Sequence, residues 1–147
     1  MIEPAPTSRI DPTLARGTLV EFVSATATKP ALVKAAFPNT NYELHLVPGR
    51  PISTQPGKRL IGRVEARARR VDIVEAGGRY IEPVIGRPRR VQGVVISADQ
   101  GAGTITVDAG VPIKAGLTDA RQSPADFTPG TLVAFDIVDG ATFTPAA

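Results

Sequence analysis

Proline and glycine interrupt this chain too often for long helices: fourteen of each are spread through 147 residues, between short runs of Val, Ile, Leu and Thr. Residues of those two types at such density punctuate turns, and the β-branched runs between them suit a pleated backbone. The predicted fold class is therefore all-β, arranged as two small strand-rich units. A hydrophobic fraction of 42% beside 21% charged residues is a folding composition, not a disordered one. Cysteine is absent, which excludes disulfides and thiolate metal sites and leaves the fold to packing and hydrogen bonds.

Residues 1–13 carry Pro4, Pro6 and Pro12 without an apolar period and read as an extended arm. A basic β-rich unit is expected over 14–88 and a second β unit over 89–147. Gly17 to Val23 predicts the first strand. Thr28 to Phe37 predicts a helix: Thr28 can cap it, Pro30 suits its first turn, Leu32, Val33 and Phe37 share a face, and Pro38 stops it. Tyr42 to Val47 alternates as a strand.

From Arg59 the period is two, with Val64, Ala66 and Ala68 on one face and Arg63, Glu65, Arg67 and Arg69 on the other. The apolar parity flips after Arg70 to Val71 and Ile73. A bulge or bend at Arg69-Arg70 is predicted to return both inward. Ala76-Gly77-Gly78 predicts a tight turn, with Arg79 to Ile85 coming back as the partner strand.

The last third predicts a strand over Arg89 to Ala98, a loop at Asp99 to Gly103, and strands over Thr104 to Asp108 and Val111 to Lys114. Ser123-Pro124-Ala125-Asp126 carries a capping signature and predicts a short helical turn. Gly130 to Val138 and Ala141 to Thr144 then read as a strand pair around Asp139-Gly140, a dipeptide suited to primed hairpin turns. Strand, strand, strand, short helix, strand, strand is the order of the OB-fold. Val91-Gln92-Gly93-Val94-Val95, Gly103-Thr104-Ile105-Thr106-Val107 and Gly130-Thr131-Leu132-Val133-Ala134-Phe135 resemble OB-type domains, in which a glycine-kinked first strand leads into a G-T-x-T-V second strand. The resemblance covers about the last 57 residues. It implies a five-stranded OB-like barrel with a short helical turn. Gly17-Thr18-Leu19-Val20-Glu21-Phe22 also echoes Gly130 to Phe135 at five of six positions.

The net charge of +3 conceals a partition. Residues 50–90 hold 11 basic and 4 acidic groups, residues 91–147 hold 2 basic and 6 acidic, and residues 1–49 balance. Arg63, Arg67 and Arg69 project to one side of a strand, where every second residue advances about 7 Å. Such a basic stripe supplies salt-sensitive binding to a phosphate backbone. The candidate polyanion-binding residues are Arg63, Arg67, Arg69, Arg70, Arg79, Tyr80, Arg89 and Arg90, with single-stranded nucleic acid or an acidic protein as the expected partner. Aromatic platforms are scarce in this region, where Tyr80 stands alone with Tyr42 as its nearest candidate companion. The blander reading makes the arginines a solvated face paired across strands with Glu65, Glu75 and Glu82.

Catalytic chemistry finds no support. His45 is the only histidine and shares the polar side of its strand with Glu43, which suits a structural role. None of the serines stands in a G-x-S-x-G elbow. Asp99 to Gly103 lacks the lysine of a P-loop and the repeated acids of an EF-hand. Arg59-x-x-x-Arg63 resembles the arginine motif of PilZ barrels, but the D/N-x-S-x-x-G partner motif is missing. No catalytic residue, metal or cofactor is expected. Met1 to Pro6 lacks the basic start and apolar run of a signal peptide, and no segment approaches about 18 apolar residues, so the expectation is a cytoplasmic chain without a membrane span. The sequence leads to a non-enzymatic binding module. Its alternative is a structural protein that forms homo-oligomers through oppositely charged ends.

Overall fold

A computed structural model describes residues 11–146. Among them, eleven strands join in one sheet: β1 (Ala15–Val23), β2 (Leu32–Ala36), β3 (Glu43–Pro48), β4 (Arg59–Ala68), β5 (Asp72–Ile73), β6 (Tyr80–Glu82), β7 (Ile85–Gly86), β8 (Arg90–Asp99), β9 (Thr104–Asp108), β10 (Pro112–Leu117) and β11 (Leu132–Pro145). The described helical structure is a 3-10 turn at Pro124–Asp126, where the Asp126 carboxylate accepts from the Ser123 N–H at 2.9 Å. The all-β expectation holds. Residues 1–10, most of the expected arm, lie outside the described residues.

Two long strands organise everything else. β1 pairs with Arg59–Gly62 of β4, and β10 runs parallel to Val64–Ala68 farther along the same edge. The opposite edge of β4 is taken by β11. One circuit of pairing runs β1, β2, β3, β11, β4; the second runs β8, β9, β10, β4, β11. Leu19, Val33, Leu44, Leu46 and Phe143 are buried on the side of the first circuit, and Ile105, Val107, Ile113, Val91 and Phe135 on the side of the second. All belong to one hydrophobic cluster. The even-numbered residues of β4, Leu60 to Ala68, supply its inner face to both.

Close strand approach fixes two glycines. A Cβ on Gly62 would lie 2.3 Å from the Thr144 carbonyl oxygen, and one on Gly93 equally close to that of Asp108. No side chain fits at either position, which lets β4 press on β11 and β8 on β9 where each strand bends between neighbours.

Several local expectations change. Leu32 to Ala36 is strand, not helix: Val33, Ala35 and Phe37 are buried alternately, and pairing with β1 on one side and β3 on the other favours the extended form. Asp139-Gly140 does not end a hairpin. β11 continues through it as a bulge with φ of 60° and 76°, because residues 132–136 pair with β8 and residues 141–145 with β4 rather than with each other. The same left-handed dihedrals serve a bulge as readily as a turn. The bend at Arg69-Arg70 is present and returns Val71 to the core, but Ile73 stays 62% exposed while pairing with Val133 of β11. Arg79 to Ile85 is no partner of the segment before it; it divides into β6, paired with β8, and β7, paired with β3. After the 3-10 turn a single strand follows instead of two, and β4 completes the second circuit.

Candidate polyanion-binding surface

With its even residues buried, β4 turns Arg59, Ile61, Arg63, Glu65 and Arg67 outward. Three arginines therefore recur at every fourth residue along one strand, roughly 13 Å apart. The neighbouring strands widen the row. Arg16 of β1 lies opposite Ile61, and Lys114 of β10 lies opposite Glu65, each on the outward side of its own alternating strand. Arg50 and Arg59 border one depression beside Ile61; Arg63 and Lys114 border a second with Thr104 and Thr106; Arg67 and Lys114 border a third with Thr104 and Thr142. The three lie along β4, and the cations and hydroxyl groups that border them form a basic ridge, with Asp99 at the edge of the second depression.

Acids occupy part of this surface. Asp11 lies 3.7 Å from Arg63, and its carboxyl is held below the usual range first by the Thr13 hydroxyl and amide that donate to it, then by Arg63 and Arg16. Asp139 contacts Arg67 at 2.7 Å. Glu65 leans toward β11, where it accepts from the Thr144 hydroxyl at 3.0 Å. Arg67 and Asp139 have side chains 62% and 80% exposed, and pairs that wet contribute little and are readily exchanged for another anion. Arg59, Arg16 and Lys114 make no salt bridge with a described carboxylate.

The remaining residues singled out in the sequence lie elsewhere. Arg69 sits in the bend, where its N–H donates to the Asp136 carbonyl at 2.8 Å. Arg70 pairs with Asp72 at 3.3 Å and borders a small cleft with Asp119 and Arg121. Arg79 pairs with Asp108 at 2.7 Å in a cleft shared with Tyr42. Arg90 donates to the Tyr80 hydroxyl at 3.4 Å and to Asp136 at 3.0 Å, and Arg89 is exposed. Arg63 and Arg67 are thus together on the ridge, and Arg90 and Tyr80 together on β8 and β6. The arginines are not paired with Glu65, Glu75 and Glu82; their partners are aspartates, three of which, Asp108, Asp136 and Asp139, come from the acidic third of the sequence.

Sequence reasoning did not include Arg16, Arg59 or Lys114 among the candidates. Arg59 was within reach of it, since the outward parity that selects Arg63 and Arg67 selects Arg59 as well. Arg16 and Lys114 carry no local signal, because long-range pairing alone brings them beside β4. His45 sits where expected, its Nε2 3.3 Å from the Glu43 carboxylate. No cluster of three or more His, Asp or Glu able to hold a metal is found among the described residues, and no described helix is long and apolar enough to cross a membrane. No protein-family model, curated protein or solved structure matches this chain.

Proposed function

We propose that this chain is a non-enzymatic binding module that holds nucleic acid or another polyanion against the outer face of β4. The observation that carries this reading is the row Arg59, Arg63, Arg67, flanked by Arg16 and Lys114 on adjoining strands. Paired strands fix the backbone positions of these cations in a line, and the exposed aspartates give way to phosphate or sulfate. The OB-like reading of residues 89–145 belongs here too. Support for it comes from the β8, β9, β10 meander followed by the 3-10 turn and β11, with β4 as fifth member of the circuit. The test is immobilised heparin at low salt. Retention that collapses with added salt, and that drops for Arg59→Gln combined with Arg63→Gln, supports the reading; passage through the column unretained at low salt sinks it.

A second reading, self-association, draws on a different observation. Val20 and Phe22 are 40% and 46% exposed at the end of β1 beyond its pairing with β4. An apolar strand end with one open edge favours pairing with another copy. Oligomers that persist at high salt and disappear on Phe22→Ser, detected by light scattering, are its expected signature. A monomer at all concentrations rules it out.

A further inference from the structure

Building on the polyanion reading, we infer that the ridge takes the phosphate backbone of duplex nucleic acid, not a stacked single strand. Two features of the ridge carry this.

The first is spacing. Consecutive phosphates of a single strand laid along β4 repeat at roughly the 7 Å of alternate strand residues, which would bring a phosphate against Ile61 and another against the Glu65 carboxylate. On β4 itself the cations skip those positions; the cations at those levels, Arg16 and Lys114, stand one strand away, about 4.8 Å to the side, so the charges form two parallel rows and not one file. Arg59, Arg63 and Arg67 stand about 13 Å apart, close to the roughly 12 Å between the phosphate walls of a B-form major groove. Adjacent arginines can therefore meet opposite walls, with Ile61 or Glu65 facing the gap between them. Lys114, beside Glu65, then adds a contact next to the Arg63 and Arg67 positions.

The second is the absence of a stacking platform. Sequence-tolerant binding of single strands relies on aromatic side chains presented to the bases. Phe37, Phe127, Phe135 and Phe143 are buried in the core, and Phe22 is at the far end of β1. Tyr42 donates to the Ala109 carbonyl at 2.9 Å, and the Tyr80 hydroxyl is engaged by Arg90. The outward row of β4 contains no aromatic residue. Such a surface rewards charge density alone, and a duplex carries one charge per about 1.7 Å of axis.

The experiment is fluorescence polarisation of the full chain with labelled 20-base-pair DNA and with labelled oligo(dT) of equal length. With three to five cations neutralising phosphates, the duplex affinity falls about 40- to 500-fold between 50 and 200 mM salt. Tighter duplex than oligo(dT) binding at low salt, reduced at least about tenfold by Arg63→Gln with Arg67→Gln and unchanged by Arg121→Gln, is the expected result. Arg59→Gln is a second, independent variant should the double one fold poorly. Oligo(dT) binding as tightly as duplex overturns this inference and leaves the polyanion reading standing, as does heparin binding without any DNA binding. Binding of neither DNA nor heparin overturns both.

Discussion

One methyl group separates two kinds of glycine in these strands. At Gly62 it would lie 2.3 Å from a backbone carbonyl, whereas at Gly116 the nearest atom is 3.9 Å away. Gly62→Ala is expected to destabilise by at least about 2 kcal/mol, as forced overpacking against backbone does, while Gly116→Ala stays within about 1 kcal/mol of the parent and leans toward stabilisation. Urea denaturation of both variants measures the difference. Among the acids, Asp119 is held at about 2 by the Arg121 side chain and amide that donate to it. Its folded value lies below the unfolded one, so its contribution is fully present above the ordinary 3.8 and is lost as pH falls through about 2. A carboxyl-carbon NMR titration should show that midpoint, moved upward by Arg121→Ala; an ordinary midpoint in the parent would refute the contact. What single residues signal in the sequence is bounded by parity. The echoed segments place Phe22 46% exposed and Phe135 1% exposed, although their local sequences are nearly identical. Neighbouring strands decide which face of such a segment is inside, and no window of six residues contains them.

At the scale of elements, β11 is the strand on which both circuits depend: it passes from β8 to β4 after Asp136, and its bulge lies just beyond, between Val138 and Ala141 of the β4 pairing. Arg87 donates to the Asp139 carbonyl at 3.1 Å and so braces the left-handed pair, while the solvent-exposed Arg67–Asp139 contact adds little. Gly140→Val forces a β-branched side chain into φ of 76° and against the Arg87 guanidinium, a Cβ there lying 2.8 Å from Nη2. The expected cost is about 1–3 kcal/mol, read from chemical denaturation, and an unchanged midpoint would contradict the bulge. β4 and β9, whose sequences alternate apolar with polar residues, were legible because period two survives in them. The helix expected over Thr28 to Phe37 was not, because Val33 and Phe37 satisfy a helical spacing while Val33, Ala35 and Phe37 satisfy an alternating one. Tertiary pairing chose between two periods that the residues allow equally. Asp139-Gly140 suits a two-residue turn when read in isolation but reverses no chain, for the same reason: the partner of residues 141–145 lies more than seventy positions upstream.

Across the whole molecule, the partition of charge along the chain becomes a mixture in space. The acidic last third supplies Asp108, Asp136 and Asp139 to Arg79, Arg90 and Arg67, and along the outward row of β4 Arg59 and the flanking Arg16 and Lys114 stay without a described carboxylate partner. All-β character was legible from turn punctuation. The sharing of β4 and β11 was not, since it arises from pairings between segments far apart in sequence. On the proposed reading, this row is where a polyanion binds. Amide chemical-shift mapping tests it most directly, with isotope-labelled protein titrated against a short DNA duplex at low salt. Shifts concentrated at Arg16, Arg59, Ile61, Arg63, Glu65, Arg67 and Lys114 are expected; shifts confined to the Tyr42 and Arg79 cleft or to Phe22, with β4 unmoved, would place the polyanion elsewhere.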